Sequence, residues 1–186
     1  PEMSKRLSRM ERAVLSIDSH IQFVHDYEEL GSSSPRWQDV TDLIERLAVS
    51  KEIDRLDIVD LCGLSIFADP ILPKVFHNLM EDTLKYGAVP ATVRMSAAEV
   101  NVSLRLIYED MGPGVLDEDK ERIFHRGFGK GLGLGLFLCR KVLGITGITI
   151  AETGVPGQGA RFEITVPTEH FRWDRPLGPI RDREGP

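Results

Sequence analysis

Long apolar runs, cysteine pairs and an excess of positive charge are all missing from this sequence. No stretch approaches the roughly 18 residues that a membrane-spanning helix needs, and no secretory leader is visible. Two cysteines, Cys62 and Cys139, stand far apart in 186 residues. Neither belongs to a C-x-x-C pair, which excludes a disulfide framework and fits a reducing compartment, here expected to be the cytoplasm. Lys and Arg number 23 against 29 Asp and Glu, for a net charge of −6. A polyanion-binding surface is therefore not expected, and nucleic acid is not an expected partner. The remaining composition, 41% hydrophobic and 28% charged, is ordinary for one domain with a core and an added element. The chain opens on Pro1-Glu2 inside a helical pattern. It is expected to be part of a longer protein, with any membrane-attached region outside it.

Met3, Leu7, Met10, Val14, Ile17, Ile21 and Val24 alternate spacings of four and three. That rhythm predicts a helix whose apolar seam packs on another helix. Gly31 ends it, and "GSSSPR" reads as a linker over 31–36. Val40, Leu43, Ile44, Leu47 and Ala48 predict a second, shorter amphipathic helix. "RLDIVDL" and "LSIF" then read as short strands. Asp69-Pro70 predicts a helix start, with Asp69 as cap and Pro70 at the first helical position. That helix should run to about Tyr86 and close at Gly87. "ATVRM" and "VNVSLRLIY" alternate as strands, "LDEDKERIF" reads as a short acidic helix, and a glycine-rich loop leads into a helix ending near Leu143. "ITIAE" and "ARFEITVP" are the last strands. From about His170 the chain is expected to be extended, with Pro176, Pro179 and Pro186 in it. The mixed order predicts an α+β sandwich rather than a regular βαβ array. The expected units are 1–30, the linker 31–36, a domain over 37–169 and a tail over 170–186.

Four stretches could carry chemistry. On the helix ending at Tyr86, Asn78, Asp82 and Lys85 share one polar face, apart from the core stripe of Leu72, Val75, Phe76 and Leu79. An amide, a carboxylate and an ammonium together could hold a hydrated Mg²⁺ and phosphates, or form only a solvated face. In "YEDMGPGV", Asp110 sits at a strand end beside Gly112 and Gly114. A carboxylate there can accept a hydrogen bond from an exocyclic amine, although a plain Gly-Pro-Gly turn reads the same. In "FGKGLGLGLFL", Gly131, Gly133 and Gly135 precede a helix, and a glycine-bearing helix start suits phosphate. The spacing departs from the dinucleotide pattern G-x-G-x-x-G, and no strand comes directly before it. Gly157 and Gly159 read first as a hairpin turn.

The order of these stretches is more specific than any one of them. N-L-x-x-D-x-x-K-Y, D-x-G-x-G, I-F-x-x-G-F, G-x-G-L-G-L and G-x-G-x-x-F resemble the N, G1, F, G2 and G3 boxes of the sensor histidine kinase ATP-binding domain. That domain belongs to the superfamily shared with gyrase-type, Hsp90-type and mismatch-repair ATPases. The resemblance covers roughly Ala68 to Pro167, and the wording is most similar to archaeal-type kinases. It implies a two-layer α+β sandwich, a mixed sheet with helices on one face (the Bergerat fold), preceded by a long N-terminal helix. The implied cofactors are ATP and Mg²⁺. Asn78 and Lys85 match catalytic, phosphate-contacting positions and Tyr86 an aromatic beside the nucleotide. Asp82 stands where the family usually has a Mg²⁺-binding asparagine, with Asn78 as its companion ligand. Asp110 matches the adenine-specifying aspartate. Gly112 and Gly114 hinge a short lid anchored by Phe124 and Phe128, with Arg126 and Lys130 as its cations. Gly131, Leu132, Gly133, Leu134 and Gly135 match the phosphate-side loop, and Leu132 replaces a residue that often bears a hydroxyl. Phe124, Phe128 and Tyr86 could equally be core aromatics.

The resemblance also implies phosphoryl transfer from ATP to a histidine on a two-helix dimerisation hairpin, then to a response regulator. The segment 3–29 matches the second helix of that hairpin. His25-Asp26 mimics a phosphoacceptor, but about one turn of helix remains before Gly31, so the phosphoacceptor is expected upstream of Pro1. Gyrase-type relatives carry a hydrolytic glutamate where this chain has Asn78, so feeble ATP hydrolysis is expected. Two alternatives stand beside this reading. One is a degenerate nucleotide-binding module without phosphotransfer, motivated by Asp82 and Leu132. The other is an anti-sigma-type serine/threonine kinase, which lacks the hairpin.

Overall fold

The structure is a computed structural model that describes residues 2–129 and 133–174. The four-three rhythm folds as one helix, α1 (Glu2–Glu29), and Gly31 follows it with φ +70°. Its seam lies open: Met3, Leu7, Met10, Val14, Ile17, Ile21 and Val24 are 52% to 75% exposed. Its C-terminal turns touch the domain. Phe23 packs beside Phe137 with ring centroids 6.4 Å apart, and Asp26 pairs with Lys74 at 3.0 Å.

A strand that the sequence pattern did not predict comes next, β1 (Arg36–Asp39). Asp39 then caps α2 (Val40–Ser50), its Oδ1 accepting from the Asp42 backbone N–H at 2.8 Å. β2 (Arg55–Val59) and β3 (Leu64–Ala68) follow as predicted. α3 (Pro73–Tyr86) begins later than expected, with Pro73 rather than Pro70 in its first turn. Asp69 is drawn elsewhere: its Oδ2 accepts from Gly31 N and its Oδ1 from Ile71 N, both at 3.0 Å. It therefore ties the end of α1 to a turn before α3 and does not cap the helix.

β4 (Thr92–Val100) and β5 (Ser103–Asp110) form one hairpin that turns at Asn101 and Val102, so β4 is longer than "ATVRM" suggested. The predicted acidic helix is only a short 3-10 turn at Arg122–Phe124. Lys120 bridges this turn to the hairpin beyond β6, its Nζ pairing with Asp117 at 2.9 Å and donating to the Gly154 carbonyl at 2.6 Å. α4 (Gly135–Gly144), β6 (Thr149–Glu152) and β7 (Arg161–Pro167) complete the predicted elements. β8 (Phe171–Trp173) pairs with β3.

The main sheet has the order β2-β4-β5-β7-β6, and its only parallel pair is β2 with β4. Alternate residues point into one core: Val93 and Met95 on β4, Leu104, Leu106 and Tyr108 on β5, Phe162, Ile164 and Val166 on β7. Their partners come from the helices, among them Val40 and Ile44 of α2, Phe76 and Leu79 of α3, and Val142 of α4. With one face of the sheet covered by helices, the architecture is the expected α+β sandwich. A smaller sheet, β1-β3-β8, flanks it. No helix among the described residues is long and apolar enough to cross a membrane.

Candidate functional site

A cavity of about 920 Å³ opens between α3, the segment after β5, the start of α4 and the C-terminal half of α1. Asn78, Asp82, Lys85, Tyr86, Asp110, Gly114, Phe128, Gly133, Leu134 and Gly135 all line it. These residues are far apart in sequence, and the fold brings them to one space. Gly112 does not line it; its N–H bonds Asp110 instead. Phe124 is 2% exposed and belongs to the core, edge-on to Phe162 and under the Arg140 guanidinium. Arg126 is exposed and does not line the cavity. Lys130, Gly131 and Leu132 lie outside the described residues.

Asp110 ends β5 and is held on three sides. Its Oδ1 accepts from Gly112 N at 2.8 Å and Ala160 N at 2.9 Å. Its Oδ2 accepts from Thr83 Oγ1 at 3.2 Å. Thr83 in turn lies 2.7 Å from the Tyr108 hydroxyl. Burial pushes the Tyr108 phenol well above its usual range, so it keeps its proton. Nothing local marks Thr83, because a threonine on a helix gives no signal of what its hydroxyl will meet across the core.

Gly159 gives a second lesson. Its φ is +98°, which suits a turn glycine. A Cβ there would lie 2.0 Å from the Asp110 carbonyl oxygen. The G3-like hairpin is thus pressed against the end of β5, which is how Ala160 N reaches the carboxylate. Gly133 answers the parallel question for the glycine-rich loop. A Cβ on it would fall 2.2 Å from the Phe128 carbonyl oxygen, at a φ of +58°. Backbone crosses backbone there, and Gly127 N bonds the Gly133 carbonyl at 3.0 Å.

The polar face of α3 is less settled. Asn78 turns its Nδ2 to the Gly135 carbonyl at 3.1 Å, joining α3 to the start of α4. Glu81 collects Lys51 at 2.9 Å and Lys85 at 3.5 Å. Burial works against its charge, but Lys51, Lys85 and His77 outweigh that and hold its carboxyl below the usual range. Asp82 has no hydrogen-bond donor among the described residues. Burial, with Glu81 and Asp110 adding like charge and Lys85 only partly compensating, pushes its carboxyl up to about 6. Behind this face Cys139 is fully buried and its thiol is pushed up to about 12 by burial, so it is packing rather than chemistry. A carboxylate aimed at a cavity with no donor fits a hard cation, and Asp82 with Asn78 could hold one.

The sandwich and the cavity on its helical side define a nucleotide-binding α+β domain of the Bergerat type. The family described as "Histidine kinase-, DNA gyrase B-, and HSP90-like ATPase" matches residues 69–170, more than half of the chain, and the chain belongs to it. The adaptive-response sensory kinase SasA of Crocosphaera subtropica is 29% identical over 175 residues, covering 89% of this chain and 45% of SasA. The SasA of Rippkaea orientalis is 30% identical over 143 residues, covering 70% of this chain and 36% of that one. Sensor protein KdpD of Escherichia coli is 32% identical over 108 residues, 54% of this chain and 12% of KdpD. The chain therefore spans less than half the length of these relatives. Full-length ShkA, solved with AMPPNP, superposes with a TM-score of 0.66 at 25% identity, over 81% of this chain and 36% of ShkA. The catalytic domain of the histidine kinase ThkA superposes at 0.62 and 23% identity, over 73% and 97%, and shares the fold. The chain is accordingly an ATP-binding catalytic domain of the sensor histidine kinase kind.

Proposed function

We propose that the cavity holds Mg·ATP and that the domain passes its γ-phosphoryl group to a histidine outside this chain. The observation that carries this reading is the shared cavity. Asp110, the polar face of α3 and the glycine-rich loop open to one space of about 920 Å³, large enough for a nucleoside triphosphate. The purine would meet Asp110 and the triphosphate would run along Asn78, Asp82 and Lys85 toward the start of α4. Bound Mg²⁺ would neutralise phosphate charge there, held by Asp82 with Asn78. In the transfer, a histidine nitrogen bonds to the γ-phosphorus while the bond to the β,γ-bridging oxygen breaks and ADP leaves. Positioning and charge neutralisation supply the rate.

The cavity is also walled by Asp18, Gln22 and Phe23 of α1, so its ligand would face the helix on which the exposed seam lies. That seam supports homodimer formation in the full-length protein, two copies packing their 3-4 stripes together. His25 is held by Glu29 at 3.5 Å on the exposed side of α1, and the phosphoacceptor is assigned to a preceding helix. ThkA has been solved in complex with the response regulator TrrA, and a response regulator is the partner proposed for this protein.

The test is to extend the chain upstream through the first hairpin helix and supply γ-labelled ATP. The protein should acquire an acid-labile, alkali-stable phosphoryl group, and the present chain alone should hydrolyse ATP far below the roughly 10 per second typical of enzymes. Label on serine or threonine would favour the anti-sigma-type reading. No label despite tight ATP binding would favour a regulatory module, for which Asp82 is the motivating residue.

A further inference from the structure

We infer that Thr83 determines base specificity in this pocket: its hydroxyl, fixed between the Tyr108 phenol and the Asp110 carboxylate, leaves that carboxylate one accepting position, which takes a 6-amino purine and refuses a 6-oxo purine. This rests on the nucleotide reading of the cavity and goes further, to how the base is chosen.

A threonine inside a helix usually bonds back to its own helix or faces solvent. Thr83 does neither. It is 2% exposed, and its Oγ1 reaches across to the sheet, 2.7 Å from Tyr108 Oη and 3.2 Å from Asp110 Oδ2. A hydroxyl has one proton to give, and an ionised carboxylate can only accept. Thr83 therefore donates to Asp110, and Tyr108 donates to Thr83. The direction of the chain is fixed by its ends.

The other carboxylate oxygen is already full. Gly112 N and Ala160 N both donate to Oδ1, at 2.8 and 2.9 Å. What remains is one lone-pair direction on Oδ2, in a carboxylate that lines the cavity. A donor must fill it. The exocyclic amine of adenine does so. The carbonyl of a 6-oxo purine would set two acceptors face to face, both stripped of water, and a site built this way rejects such a ligand strongly. Without the Thr83 proton, Oδ2 has two open directions and can turn or recruit a water, which could then donate to a carbonyl.

The experiment compares ATP with ITP, which carries the 6-oxo base on the same sugar and phosphates. Affinities are measured by displacement of a fluorescent nucleotide from the wild type, Thr83→Val, Thr83→Ser and Tyr108→Phe. The wild type should prefer ATP by about 100-fold. Thr83→Val keeps the shape and loses the hydroxyl, and its preference should fall about tenfold. Thr83→Ser should keep the preference, and Tyr108→Phe should lower it by about threefold. A wild-type ATP/ITP ratio in Thr83→Val, or equal weakening of both nucleotides, overturns the inference. If Thr83→Val does not melt cooperatively, Thr83→Ala and Tyr108→Phe decide it, and unchanged ratios in both overturn it. Asp110→Asn separates the two readings. If it changes the ratio while the Thr83 variants do not, only the Thr83 role fails. If it changes nothing, the placement of the purine itself fails.

Discussion

The two ends of the cavity are built differently. At the Asp110 end every polar atom has a partner: two backbone N–H groups, a threonine hydroxyl and, behind it, a tyrosine phenol. At the α3 face, Asp82 has no donor among the described residues, and Lys85 leans on Glu81 at 3.5 Å. One end is fixed in place before any ligand arrives, with a single accepting direction on Asp110 left for it. The other holds charges whose best partners are not in the protein. Preorganised donors and acceptors select a ligand, because they lose little on binding. Uncompensated charge makes binding depend on a counter-ion and on pH.

That contrast can be broken by mutation, and the largest effect should fall on the finished end. Gly159→Ala would force a Cβ to 2.0 Å from the Asp110 carbonyl oxygen at a positive φ. The β6–β7 hairpin would have to move away, taking Ala160 N with it. We expect a loss of about 2–3 kcal/mol in stability. Thermal melting should show a drop of roughly 5–10 °C, and nucleotide binding should weaken with it. A variant that melts like the wild type would show that the hairpin is not pressed against β5.

A smaller effect of opposite sign is expected at the unfinished end. Asp82 has its carboxyl raised from 3.8 to about 6 by burial. The folded state favours its protonated form, so the stability linked to this group is greatest below the unfolded value and is lost as pH rises through about 6. Above that, the ionised side chain costs the ligand-free protein. Asp82→Asn should therefore stabilise the ligand-free protein by about 1–2 kcal/mol at pH 7.5. The gain should shrink toward pH 4, read by denaturant unfolding at both pH values. The same change should weaken the dependence of ATP affinity on Mg²⁺. A gain independent of pH would mean that the carboxylate charge is not its source.

Lys85→Ala should have the smallest effect on the fold. Its side chain is 57% exposed and its pairing with Glu81 is long, so stability should change by no more than about 0.5 kcal/mol. ATP affinity should fall by several-fold while AMP affinity stays the same, because the loss is confined to phosphate contact. Equal losses for AMP and ATP would place Lys85 away from the phosphates.

The finished end was also the less legible in sequence. Asp110 and its flanking glycines stood out, but the partners that hold the carboxylate did not. Thr83, Tyr108 and Ala160 carry no local mark, since each is defined by a contact across the core. The α3 face was legible because Asn78, Asp82 and Lys85 follow helical spacing, and spacing is a local property. The same division explains the fold. Helix α1 and the alternating strands declare their own period. Strand β1 does not, because four residues reading Arg-Trp-Gln-Asp show no alternation and exist as a strand only through pairing with β3. The residues 117–121 carry a helical pattern yet form turns, and nothing local marks the reach of Lys120 to the Gly154 carbonyl. Asp69 looked like a helix cap until Gly31 claimed its carboxylate.

The most direct test is a calorimetric titration of ATP into the wild type and Asp110→Asn, each with and without Mg²⁺. Tight, Mg²⁺-dependent binding that weakens by about tenfold or more in the variant is expected. The same ATP affinity in both proteins would contradict a purine seated against Asp110.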